Sequence, residues 1–291
     1  MNKMKLILLF LFIMAVSSFA TLKSLPLSSL SLDTRANAMA NGLSGELMDN
    51  TSFVFHPAAW KDTSKINYAV SYINWIEGMQ GGSVSAVVPL KNKNLGINAT
   101  YLDLGKINSY DVNNILLGTT QNFFFALKGN LSFPYKNFFV GAGATLYFEK
   151  FADINTIYLN LDAAFVWLLS DNFGFGFKMK DLNILLKTDT LFQTGFYYHS
   201  TRNIKTVTAF NFSCDYSMKI SGEQNLHFGM EYMYKKLSLR AGYIFSMGDY
   251  KTSRGLFMGF GLHIKKYIFD FSYTPISGMD APIQMTIRTS F

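Results

Sequence analysis

The chain has 291 residues, of which 49% are hydrophobic, 16% aromatic and only 15% charged, against roughly 25% charged in an average soluble domain. Its net charge of +7 comes without a Lys/Arg-rich run, which argues against a nucleic-acid surface and fits an anionic membrane surface. The single cysteine, Cys214, excludes an intrachain disulfide and has no partner at metal-ligand spacing.

In chain order, residues 1–20 (MNKMKLILLFLFIMAVSSFA) predict a cleavable secretory signal. Lys3 and Lys5 precede an apolar run from Leu6 to Met14, and small residues at Ser18 and Ala20 suit a signal peptidase. The run is too short for a membrane-spanning helix, which needs about 20 apolar residues. Residues 21–60 alternate poorly and carry small residues at Ala36, Ala38, Ala40, Gly42 and Gly45. This segment holds Arg35, the polar pair Asp49-Asn50 and the corner Phe55-His56-Pro57-Ala58-Ala59. Together with SYINWI (71–76) and VVPLKNKNLGINATYLDLGKI (87–107), it resembles the PorV/PorQ family of outer-membrane proteins, relatives of the long-chain fatty acid transporters. The resemblance implies that residues 21–60 fold inward as a partial plug, with Pro57 fixing the backbone where plug turns into strand. A plain periplasmic tail is the alternative. His56 and Ala59 stand where the family usually has Asn and Gly, and Asn50 replaces its second acidic residue.

Residues 61–291 alternate with period two, as strands with unlike faces do. In the last segment Ile283, Met285, Ile287, Thr289 and Phe291 oppose Gln284, Thr286, Arg288 and Ser290. About 14 such segments of roughly 9 to 14 residues, the length of a tilted bilayer-crossing strand, are expected at 66–76, 81–90, 95–104, 120–133, 138–150, 155–169, 173–180, 190–199, 204–218, 225–234, 237–246, 255–264, 267–274 and 282–291. Short connections such as KNKN (91–94), PYKN (134–137), SDN (170–172), STRN (200–203), KK (235–236) and KK (265–266) fall at every second position. Longer ones, such as 105–119, 181–189 and 247–254, lie between them. These features predict an all-β fold, a 14-stranded antiparallel transmembrane β-barrel with an N-terminal plug. Short turns and both termini would then be periplasmic and the protein would reside in the bacterial outer membrane, surrounded by its lipid. Phe291, aromatic at the end of an alternating strand, is similar to endings read by barrel-insertion machinery.

Four histidines, His56, His199, His227 and His263, sit on separate segments without metal-site spacing. No nucleophile constellation or phosphate loop emerges, so neither enzyme activity nor a cofactor is expected. If Lys235-Lys236 is a two-residue turn, Glu231 lies opposite Arg240 on the polar face, and Asp270 and Arg288 share the same interior. A charge-balanced wall is the favoured reading of these groups, and a polar substrate path the other. The family resemblance implies a secretion-accessory or anchoring protein that binds a secreted cargo, as in type IX secretion. The alternative is a transporter for a hydrophobic small molecule.

Overall fold

The computed structural model describes residues 32–47, 55–58, 65–91, 93–152, 154–183, 189–203, 208–247, 255–276 and 280–291. The expected signal at 1–20 and the pair Asp49-Asn50 lie outside these residues. A short helix, α1 (Thr34–Ala38), precedes β1 (Asn67–Asn74), β2 (Gln80–Leu90), β3 (Lys93–Tyr110), β4 (Leu116–Tyr135), β5 (Phe138–Phe151), β6 (Ile154–Ser170) and β7 (Phe173–Leu182). The chain continues through β8 (Leu191–Asn203), β9 (Thr208–Lys219), β10 (Gln224–Tyr234), β11 (Leu237–Met247), β12 (Gly255–Ile264), β13 (Tyr267–Tyr273) and β14 (Ile283–Ser290). Each strand pairs with its sequence neighbour, and β1 pairs antiparallel with β14, closing a barrel of 14 strands. Closure removes the sheet edges that a bilayer could not satisfy. Phe291 extends the seam: its backbone exchanges hydrogen bonds with Ile66, and its ring meets Tyr68 edge-on at 6.1 Å.

Period-two alternation translates directly into an inside and an outside. Along β11, Leu239 is 52% exposed while its neighbours Ser238 and Arg240 are 1% and 5% exposed. The outer face is a continuous belt of Leu, Ile, Val, Phe and Tyr, a surface that lipid solvates and water does not. Polar residues instead fill the interior, among them Asn98, Asn130, Asn160, Asn211 and Ser213.

One end carries the two-residue turns 91–92, 136–137, 171–172, 235–236 and 265–266, the connection 204–207, the start of β1 and the end of β14. The other end carries 75–79, 111–115, 183–190, 220–223, 248–254 and 274–282, with 152–153 the short exception. Two expected boundaries are corrected. The long loop placed at 105–119 is a hairpin extension, since β3 runs to Tyr110 and β4 starts at Leu116. Residues 106–110 are exposed on both faces, so the ladder continues without the inside–outside contrast that makes a strand visible in sequence. The tip is turned by Asp111, whose Oδ1 accepts from the backbone N–H groups of Asn113 (2.8 Å) and Ile115 (2.7 Å). The turn placed at 200–203 belongs to β8, which continues through Asn203 past a register shift at Thr201.

Candidate functional site in the barrel lumen

Residues 32–47 and 55–58 pack against the inward face of the wall. The Asp33 carboxylate caps α1 by accepting from the Ala36 N–H (3.0 Å). The helix lies against β11 to β14. Its contacts are polar: the Thr34 and Thr286 hydroxyls are 2.6 Å apart, and Asn37 Nδ2 donates to Ser272 Oγ at 3.2 Å. Further along, the Ser44 N–H donates to Asp215 Oδ2 (2.9 Å), Gln193 Nε2 donates to the Asn41 carbonyl (2.8 Å), and His227 Nδ1–H donates to the Ala40 carbonyl (2.7 Å). Wall glycines make this close approach possible. A Cβ at Gly176 would collide with the Ser44 carbonyl, and one at Gly141 with the Pro57 carbonyl.

A continuous ladder of charge crosses this interface. Glu46 accepts two bonds from Arg35 (2.8 and 2.9 Å), and Arg35 reaches Glu231 at 2.6 Å. Glu231 then binds Arg240 (2.7 Å), Arg240 binds Asp270 (2.6 Å), and Asp270 binds Arg288 (2.6 Å). Cations and carboxylates alternate and sum to zero. The wall members Glu231, Arg240, Asp270 and Arg288 balance among themselves, and so do Arg35 and Glu46. Buried ions persist only when paired and hydrogen-bonded in this way.

A second polar region lies beside the Phe55–Ala58 corner. Lys178 is almost fully buried, with Nζ 3.0 Å from the centroid of the Phe55 ring. Nearby Lys128 binds Asp162 at 2.5 Å, and Asp162 also accepts from the Asp181 N–H in a bulge between β6 and β7. His56 is wholly buried. Burial holds its pKa well below the usual imidazole range, and the Lys178 and Lys128 cations push the same way. A histidine depressed in the folded state contributes stability above its unfolded pKa of about 6.5, and that stability is lost as pH falls. Acidification from pH 7.5 to 5 should therefore cost the intact protein more stability than it costs the His56→Asn variant, with the difference opening below about pH 6.5. Burial raises the Asp33 pKa and works in the opposite direction, but it is common to both proteins and cancels in the difference. Parallel pH profiles in urea titrations would contradict the assignment.

The two ends of the lumen differ in chemistry. Towards the longer connections, Ile73, Leu102, Phe124, Ala126, Tyr147 and Tyr158 form a buried apolar cluster on the inner wall, joined by Leu32. The Tyr147 and Tyr158 rings stack at 4.8 Å, and Phe124 lies 5.6 Å from Tyr147. Towards the short turns, beneath the charge ladder, a cavity of about 420 Å³ is bounded by Arg35, Glu46, Tyr197, His199, Glu231 and His263.

The structure thus brings Arg35, Glu231, Arg240, Asp270 and Arg288 into one network, places His56 and Pro57 beside Lys178 and Gly141, and leaves Phe291 at the seam. Sequence reasoning missed Glu46, Lys178, the Lys128–Asp162 pair and the inward apolar cluster. Inward Phe124, Tyr147 and Tyr158 break the polar side of the alternation, a signal that was present in the sequence. Nothing local marks Glu46 as the partner of Arg35. Among the described residues no group of three or more His, Cys, Asp or Glu could hold a metal ion.

No protein-family model matches the chain, and no curated protein matches it. Solved structures do. The chain is similar to the CymD monoaromatic hydrocarbon channel, at 9% identity and a TM-score of 0.60 over 87% of this chain and 96% of that one. It is similar to a TodX monoaromatic hydrocarbon channel lacking S2 and S3, at 11% identity and a TM-score of 0.54 over 88% of this chain and 97% of that one. A Pseudomonas aeruginosa FadL homologue follows at 12% identity and a TM-score of 0.53, over 90% of this chain and 98% of that one. The barrel is therefore FadL-like, of outer-membrane type. The secretion-accessory role expected from the sequence is overturned here, because these neighbours are hydrocarbon channels and a FadL homologue.

Proposed function

We propose that the protein is an outer-membrane channel for small hydrophobic molecules, of the kind its FadL-like neighbours represent for monoaromatic hydrocarbons. The observation that carries this reading is the inward apolar cluster of Ile73, Leu102, Phe124, Tyr147 and Tyr158. A water-filled porin lines its lumen with polar groups; an apolar inner wall, covered in this structure by Leu32, becomes a surface on which an apolar solute is favoured over water once that segment moves aside. In this account residues 1–20 are a cleaved signal, 21–60 a plug and 61–291 the barrel, inserted by the barrel-assembly machinery with Phe291 as part of its signal. The short turns and both termini face the periplasm. A solute entering from the longer connections reaches the apolar cluster as the plug yields, and leaves through the cavity beneath the charge ladder. The finer likeness to the PorV/PorQ type is supported by Arg35 and the Phe55–Ala59 corner of the sequence. Uptake of a monoaromatic hydrocarbon into vesicles containing the purified protein tests the proposal. Uptake should exceed that of protein-free vesicles and fall at least severalfold in Phe124→Asn/Tyr147→Asn.

A further inference from the structure

The two-residue turns at 91–92, 136–137, 171–172, 235–236 and 265–266 hold six lysines, Lys91, Lys136, Lys235, Lys236, Lys265 and Lys266, against a single carboxylate, Asp171. The opposite rim is the reverse: among the described residues its connections hold five carboxylates, Glu77, Asp111, Asp189, Glu223 and Asp280, and no Lys or Arg. All six lysines are exposed. The polarity is confined to one end of the barrel, so net basicity of the chain does not account for it.

Backbone geometry adds an independent observation. Lys136, Lys235 and Lys265 each occupy the first turn position with φ of 53°, 54° and 53°. That left-handed region favours Gly or Asn, and a lysine there is strained. Asn137 stands next to Lys136, yet lysine takes the costly position in all three turns. Two-residue hairpin turns place a residue in this region, as Ala152 (52°) does at the opposite rim; at this end the residue that takes it is a lysine three times. The aromatic belt meets these lysines directly, with Lys235 Nζ 5.2 Å from the Tyr234 ring and Lys266 Nζ 3.8 Å from the Phe291 ring. On the outer wall beside the 235–236 turn, the cross-strand pairs Tyr232–Leu239 and Tyr234–Leu237 line a shallow, open groove.

We propose that the short-turn rim binds anionic glycerophospholipid, with one defined site on the β10–β11 hairpin. An acyl chain lies in the groove of Tyr232, Tyr234, Leu237 and Leu239, and the phosphate meets Lys235 and Lys236. Each lysine close to an anionic lipid surface contributes roughly a fivefold gain in affinity. The occupant is a phospholipid because the site needs an apolar chain and an anionic phosphate within one molecule, at the level where the apolar belt ends.

The test uses the full-length protein in detergent, titrated with dioleoyl phosphatidylglycerol or dioleoyl phosphatidylcholine, with bound lipid counted by native mass spectrometry. Phosphatidylglycerol should be retained in preference, and the Lys136→Gly/Lys235→Gly/Lys265→Gly protein should lose that preference by roughly tenfold or more while unfolding at a higher urea concentration. Loss of lipid together with gain of stability is an outcome that a purely structural role for these lysines does not produce. Lys236→Ser/Lys266→Ser, at unstrained positions, should also weaken retention, whereas Lys106→Ser at the opposite rim should not. Equal retention of the two lipids by the intact protein, or undiminished phosphatidylglycerol retention in both rim variants, would overturn the proposal.

Discussion

Deleting residues 24–56, with the signal and Pro57 kept, should turn an electrically quiet barrel into an ion-conducting one. A 14-stranded barrel is too wide for its own wall side chains to close, so an unfilled lumen admits water and ions. The described part of the deleted segment contributes α1, Met39, Leu43 and Phe55 to the packing against Tyr197, together with Arg35 and Glu46. Removing it leaves Glu231, Arg240, Asp270 and Arg288 paired on the wall. The shortened protein should therefore still insert and still shift on a gel between unheated and boiled samples. Planar-bilayer recordings should show discrete channel openings for the deletion and almost none for the intact protein. If both conduct alike, the segment does not occlude the lumen.

The second large effect is expected from the ladder itself. Arg240→Ala removes the cation shared by Glu231 and Asp270, which lie 2.7 and 2.6 Å from it, and leaves the interior with an excess negative charge. Breaking a buried pair on one side costs about 3 to 5 kcal/mol. Glu231→Gln with Arg240→Gln keeps the ladder neutral, because Arg35–Glu46 and Asp270–Arg288 survive as pairs, and amides of similar shape can still hydrogen-bond. The double variant should lose much less stability than the single one in urea titrations. Equal losses would mean that the two groups do not act as a pair in solution.

These two expectations also separate what could be read from the sequence from what could not. The hairpin pairing of Glu231 with Arg240 follows from a two-residue turn at Lys235-Lys236 and strict alternation, both local features. So do the outward Leu237 and Leu239 and most strand boundaries. The link from Arg35 to Glu231 spans 196 positions, and no local pattern encodes a contact between a segment that does not alternate and a strand that does. Lys178 reads as an ordinary inward strand residue; only the return of Phe55 across the lumen makes it a buried cation over a ring. The extension of β3 and β4 was hidden for the opposite reason, since both of its faces meet the same surroundings and alternation has nothing to sort. The functional expectation drawn from the N-terminal motif was overturned by the fold likeness; the residues on which the proposed channel reading rests, Phe124, Tyr147 and Tyr158, lie inward on other strands, outside that motif.

The most direct test of the central claim, that the lumen takes in apolar solutes through this aromatic wall, is uptake of a radiolabelled apolar aromatic solute by vesicles containing the intact protein. A hydrophilic sugar of similar size serves as the comparison. The account predicts saturable uptake of the aromatic solute well above that of protein-free vesicles, little uptake of the sugar, and loss of the aromatic uptake in Phe124→Asn/Tyr147→Asn protein that still inserts. Uptake of both solutes at similar rates, or aromatic uptake unaltered by the two substitutions, would contradict it.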